Sequence, residues 1–159
     1  MKKFLLPILL LNLIVFAGCA SSKESPAQNV STQNISTQET ETIATNIKIT
    51  VNGKTFDATL DDNESARTLI KKLPLEVTMT ELNGNEKYYR FNETFPSNDE
   101  RVGKISVGDL MLYDSSYIVL FYKNFSTSYS YTRLGKILNA AELEKTLGGG
   151  NVTVKIEKN

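Results

Sequence analysis

The chain of 159 residues has no histidine, no tryptophan and a single cysteine, and these absences remove whole classes of chemistry. Without imidazole there is no Ser-His-Asp or Cys-His relay. Histidine-ligated zinc and multi-cysteine zinc sites drop out for the same reason. No serine is followed three residues later by lysine, so the Ser-x-x-Lys nucleophile pair is missing as well. Gly148-Gly149-Gly150 lacks the Lys-Ser/Thr that completes a phosphate loop, and Gly135-Lys136 lacks a glycine at position 130. These glycines read instead as a helix cap and a strand bend. Net charge is absent too: 18 basic residues balance 18 acidic ones. No basic patch invites nucleic acid.

What is present begins with Met1-Lys2-Lys3, an apolar run from Phe4 to Phe16 broken only by Pro7 and Asn12, and then Ala17-Gly18-Cys19. A basic start, a short apolar stretch and a small-residue exit make a secretory signal peptide over residues 1–18. The run falls short of the roughly 20 residues that span a bilayer. Secreted chains usually pair their cysteines, so a lone one directly after Ala-Gly asks for another explanation. Phe16-Ala17-Gly18-Cys19 resembles the bacterial lipobox, with Phe16 in place of the usual leucine. That resemblance implies a diacylglyceryl group on the Cys19 thiol, cleavage before it, and a chain anchored by lipid on the extracytoplasmic face of the cell envelope. Two acyl chains suffice for lasting attachment where one does not. Ala20, in place of aspartate, permits either the cell membrane or an outer membrane. Removing Lys2 and Lys3 with the leader leaves 16 basic against 18 acidic residues, so no polybasic cluster assists the lipid.

Residues 19–45 hold the lipidated cysteine and a Ser, Thr, Gln, Asn and Glu-rich stretch without sustained period. Such a stretch buries too little surface to offset chain entropy and is expected to be a disordered tether. Its flexible-coil reach is roughly 28 Å. Six Asn-x-Ser/Thr triplets begin at Asn29, Asn34, Asn63, Asn92, Asn124 and Asn151. In a bacterial chain they reflect abundant Asn, Ser and Thr.

Residues 46–159 carry the pattern of a single β-rich domain. Ile47, Ile49 and Val51 alternate with polar residues, Asn52-Gly53 signals a two-residue hairpin, and Phe56, Ala58 and Leu60 continue the alternation. Asp61-Asp62-Asn63 offers an N-cap to a short helix with Ala66, Leu69, Ile70 and Leu73 on one face, ended by Pro74. Leu75, Val77 and Met79 alternate again, and Asn83-Gly84 turns into a strand near residues 86–91. Residues 92–102 read as a polar loop. Ile105 and Val107 form a strand leading through Gly108-Asp109 to a strand over 110–113. The unbroken apolar and aromatic run 117–122 suggests the most buried strand. A strand follows over 129–137. A second helix is expected with Asn139 as N-cap, Glu142 completing a capping box, Leu138 and Leu143 as a hydrophobic staple, and Gly148 as C-cap. Val152, Val154 and Ile156 close the series. About nine short strands and two short helices imply a closed or nearly closed barrel with helical plugs.

Two candidate sites follow. The carboxylate pairs Asp61-Asp62 and Asp99-Glu100 are weak acid/base candidates, one preceding a helix whose dipole favours acids and one in a polar loop. The stronger constellation is aromatic: all seven tyrosines lie in or beside strands. Tyr129, Tyr131 and Arg133 fall on one face of a strand. A groove edged by Tyr113, Phe121, Tyr129, Tyr131 and Arg133 would offer apolar faces, polar tips and one anion-pairing guanidinium. A structural reading stays open beside it, in which the tyrosines plaster the barrel and Arg133 pairs with a carboxylate of the domain.

Gly108-Asp109-Leu110-Met111-Leu112-Tyr113, then the run from Val119 to Ile137, with Ile49-Thr50-Val51-Asn52-Gly53-Lys54 and Lys72-Leu73-Pro74-Leu75 before them, resembles the bacterial cyclophilin-like family. The resemblance implies a mainly β fold, a closed eight-stranded barrel with two short helices, and carries no settled activity. True cyclophilins isomerise X-Pro bonds with an arginine beside a pocket of Phe, Met, Leu, Trp and His. This chain lacks Trp and His, and none of Arg90, Arg101 and Arg133 maps onto that arginine. Fold likeness alone does not transfer activity. Three functions are therefore carried forward, with no cofactor or metal expected in any: a noncatalytic module binding a peptide or small molecule, a weak prolyl isomerase, and an envelope scaffold that docks another protein.

Overall fold

The computed structural model describes residues 45–159. The expected signal peptide, Cys19 and the tether as far as residue 44 lie outside the described residues. β1 (Thr45–Val51) and β2 (Lys54–Leu60) form the opening hairpin, with Val51 paired to Lys54. Asn52 and Gly53 take the positive φ values, 47° and 77°, that a two-residue turn between right-twisted strands requires. α1 (Glu64–Lys71) starts at Asn63, whose side chain accepts the Ala66 N–H at 2.9 Å, and it buries Ser65, Ala66 and Leu69.

The strands that follow are β3 (Leu75–Leu82), β4 (Glu86–Arg90), β5 (Glu100–Arg101), β6 (Lys104–Ile105), β7 (Asp109–Tyr113), β8 (Tyr117–Phe121), β9 (Phe125–Ser126) and β10 (Ser130–Ile137). α2 (Leu143–Leu147) and β11 (Val152–Lys158) complete the chain. Eight of these strands run β2-β1-β11-β3-β4-β8-β7-β10, every neighbouring pair antiparallel, and β10 pairs back onto β2. The barrel is closed, which leaves no free edge along its wall.

The closing seam depends on a glycine. The register of β10 against β7 shifts between Arg133 and Gly135, and Gly135 lies opposite Leu60 of β2. A Cβ on Gly135 would stand 2.0 Å from the Thr59 carbonyl oxygen. The strand bend read at this glycine is thus a bulge where two backbones approach too closely for any side chain.

Alternating residues fill the interior: Ile47, Ile49 and Val51 from β1, Leu110 and Leu112 from β7, Ile118 and Leu120 from β8, and Val154 and Ile156 from β11. Leu69 of α1 and Leu143 and Leu147 of α2 join the same core. A second, smaller cluster of Ile105, Met111, Val119, Phe121 and Tyr131 packs together apart from the first. Ile105 and Phe125, which pack in or against it, belong to the two-stranded β6–β9 ribbon. Burial on two faces explains why β8 reads as an unbroken apolar run: Ile118 through Tyr122 are each at most 4 % exposed.

Three sequence expectations need correction. The polar loop 92–102 contains β5, which adds to β10 beyond the barrel. Ile105 belongs to the β6–β9 ribbon rather than to a barrel strand, and Val107 lies outside any strand. The capping box and staple of α2 do not form. Glu142 itself occupies the N-cap position, its carboxylate pairs with Lys54, and Leu138 is 63 % exposed. The Leu138 N–H instead donates to the Asp57 carbonyl, prolonging the β2–β10 seam where a staple would have been.

Candidate functional site

Tyrosines gather where β4, β7, β8 and β10 lie side by side. The β7–β8 hairpin places Tyr113 opposite Tyr117, the β4–β8 register puts Tyr88 one strand over, and β10 brings Tyr131 beside Tyr113. Ring centroids are 5.9 Å apart for Tyr88–Tyr117, 6.2 Å for Tyr113–Tyr117, 6.1 Å for Tyr113–Tyr129 and 5.5 Å for Tyr113–Tyr131. Neighbouring planes tilt by 50–84°, the offset and edge geometries that aromatic quadrupoles favour. Tilting curves the wall, and these rings line a half-open cavity of about 530 Å³ with Glu86, Asn85 and the 125–129 segment.

Of the five residues expected to edge a groove, Tyr113, Tyr129 and Tyr131 line this cavity. Tyr129 is 62 % and Tyr113 39 % exposed, whereas Tyr131 is nearly covered. Phe121 is fully buried and does not edge the opening; it supports the wall from beneath, its ring 5.5 Å from Tyr131 and 5.7 Å from Phe125. Arg133 lines a different cavity, of about 520 Å³, with Asn63, Arg67 and Glu100. Tyr131 borders both. Strand parity put Arg133 on the tyrosine face, but four residues of extended chain separate it from Tyr129 by about 13 Å. No carboxylate among the described residues pairs with Arg133.

Burial, followed by the charge of Glu86, pushes the Tyr131 phenol up to about 12, with a hydrogen bond from Thr127 opposing. Burial also raises the Glu86 carboxyl above its ordinary range, and the nearby Glu81 charge adds to the shift. Glu86 has no ion-pair partner among the described residues. Asn85 Oδ1 is buried without a hydrogen bond. One member of each weak acid/base pair is engaged elsewhere: Asp62 pairs with Arg67, and Asp99 accepts the Thr132 hydroxyl at 2.6 Å.

A second polar constellation, absent from the sequence reading, lies inside the barrel. Lys87 is fully buried, donating to the Glu81 carboxylate and to the carbonyls of Gly148 at 2.8 Å and Gly150 at 2.7 Å. The Tyr122 hydroxyl donates to both Glu81 oxygens at 2.8 Å, and burial together with that contact raises its phenol well above the usual range. This cluster ties the end of α2 to β3, β4 and β8. The Lys87 ammonium spends all three of its donors on these partners, which makes the cluster a structural clamp.

Comparison with known proteins agrees with the barrel. Residues 49–157 match the model of the Cyclophilin-like family. The solution structure of a hypothetical protein from Archaeoglobus fulgidus superposes with a TM-score of 0.54 at 17 % identity, covering 76 % of this chain and 99 % of that one. At that identity the likeness speaks for the fold alone. No curated protein matches the sequence.

Proposed function

Starting from a chain that belongs to the cyclophilin-like family, we propose that it is a lipid-anchored, extracytoplasmic binding module whose ligand enters the tyrosine-walled cavity. The ligand is a small molecule or a short side-chain-bearing segment, and no bond is made or broken. The observation that carries this reading is the cavity itself. Five of the seven tyrosines converge on one half-open space of about 530 Å³, a volume within the range of small-molecule sites. Structural tyrosines alone would have no reason to leave a concavity between them. Catalysis finds no support in the groups nearby, which are phenols, one carboxyl, the amides of Asn83 and Asn85, and the hydroxyls of Ser126, Thr127 and Ser128. The lipid anchor follows from the resemblance of Phe16-Ala17-Gly18-Cys19 to the lipobox.

Ligand-observed NMR with a fragment mixture and the full chain in detergent micelles tests the binding reading. Aromatic and aliphatic fragments are expected to show saturation transfer that disappears in the Tyr113→Ser/Tyr129→Ser variant. Both side chains are at least 39 % exposed, so the variant keeps its fold. If no fragment contacts the protein, or if hits persist in the variant, the cavity is not the site.

A further inference from the structure

We propose that this cavity recognises an organic monocation, an alkylammonium group seated over the tyrosine faces and against the Glu86 carboxylate. The inference deepens the binding reading and rests on it. Two features of the wall point to positive charge in the ligand, and a third to an N–H donor on it.

The first is the aromatic lining. A cation gains from a ring face within about 6 Å of the centroid. Tyr88, Tyr117, Tyr113 and Tyr131 follow one another at 5.5–6.2 Å between centroids, so one ammonium can lie within that reach of two or three rings. Outside the cavity, the Arg90 guanidinium stands 5.7 Å from the Tyr117 centroid, a ring–cation contact of the same kind.

The second is charge. Glu86 is the one acidic side chain in the lining, no basic side chain lines the cavity, and none pairs with Glu86 among the described residues. Glu86, Tyr88 and Arg90 share a face of β4, with Glu86 and Arg90 about 13 Å apart along the extended strand. Arg90 therefore leaves the Glu86 end without a counter-charge. A half-buried carboxylate facing apolar rings is poorly solvated and gains most from a cation brought close to it.

The third is hydrogen bonding. Asn85, next to Glu86 in the lining, has a buried Oδ1 that accepts nothing. Buried acceptors are normally satisfied. Rotation of this amide beside an arriving primary ammonium brings the idle acceptor an N–H donor, which a quaternary ammonium does not carry. A neutral apolar ligand would leave both the carboxylate and the amide unanswered, and an anion would face repulsion from Glu86.

Two sources share the charge and the ring contact, a free quaternary ammonium and a lysine side chain; only the lysine also brings an N–H donor, and the experiment separates them. Calorimetric titration of the full chain in detergent micelles compares choline, Nα-acetyl-lysine methylamide and 3,3-dimethylbutanol, which has the shape of choline without its charge. One or both cations are expected to bind at least about tenfold more tightly than the alcohol, and the tighter one names the source. Glu86→Gln is expected to weaken that cation about tenfold while leaving the alcohol unchanged. Tyr113→Leu, which keeps apolar bulk but removes the ring, is expected to weaken it about threefold to tenfold. If neither cation binds more tightly than the alcohol, or if the tighter cation is indifferent to Glu86→Gln, cation recognition is overturned while the binding module stands. Absence of binding by either cation also overturns it, and only an empty fragment screen in addition removes the binding reading itself.

Discussion

Replacing Lys87 by methionine probes the interior clamp with a calculable consequence. The ammonium is fully buried and has three partners, so the substitution removes one charge from an ion pair and strands two carbonyls. Breaking a buried pair from one side costs about 3–5 kcal/mol, because the remaining charge is left uncompensated. Glu81 keeps 20 % of its side chain in water, and the exposed Gly148–Gly150 segment can take up water in turn, which sets the expectation at the low end, about 3 kcal/mol. With a urea dependence of about 1–3 kcal/mol per molar, the unfolding midpoint falls by about 1–3 M at unchanged slope. The acid limb carries a second signature. Burial works against the charged form of Glu81, yet hydrogen bonds from Lys87, Tyr122 and the Gly84 N–H, with the Lys87 charge, outweigh it and hold the carboxyl below its ordinary 4.5. A carboxyl lowered on folding contributes stability that is complete above the unfolded value and fades as pH falls through the folded one. Lys87→Met therefore flattens the loss of stability below about pH 4.5. The double variant Glu81→Gln/Lys87→Met is expected to cost less than the two single changes together, since no lone charge remains. A midpoint within about 0.3 M of the parent, or an acid limb identical to it, refutes the clamp.

Gly135→Ala forces a methyl group to within 2.0 Å of the Thr59 carbonyl, so β2 and β10 must separate; thermal unfolding is expected to register a loss of about 2 kcal/mol or more, and an unshifted Tm contradicts the seam. Cys19→Ser removes the thiol on which acylation would occur, and the protein is expected to move from the detergent phase to the aqueous phase in a temperature-induced split; a wild-type chain already in the aqueous phase contradicts the anchor.

Local chemistry made much of the barrel legible in advance. Asn52-Gly53 supplies left-handed residues where a two-residue hairpin needs them. Asn63 caps α1 with its own side chain, an interaction spanning three residues. Period-two alternation in β1, β3 and β11 marks walls with one covered face. The second helix failed where the reading needed two local signals to prevail over distant partners. Lys54, remote in sequence, takes the Glu142 carboxylate, and the Asp57 carbonyl draws Leu138 into the seam.

The site was legible only in outline. Parity along β10 gathered Tyr129, Tyr131 and Arg133 on one face but could not tell that Tyr129 and Arg133 would line different cavities. Tyr88 and Tyr117, read as part of the aromatic constellation, and Glu86 were left out of the expected groove because their placement depends on the register of β4 against β8, strands separated by more than 25 residues of intervening chain. Lys87 escaped because alternation assigns a face and says nothing of what waits there.

The sequence by itself determined the absence of imidazole chemistry, the lone cysteine behind an apolar run, and the order of the eight barrel strands, since each is a matter of composition or of contacts a few residues long. Tertiary structure decided which side chains share a cavity, that Phe121 supports rather than lines it, and that a lysine and a glutamate meet inside the barrel. Those outcomes rest on pairing registers and on closure of β10 against β2, where the energy of each contact depends on residues brought together from distant parts of the chain.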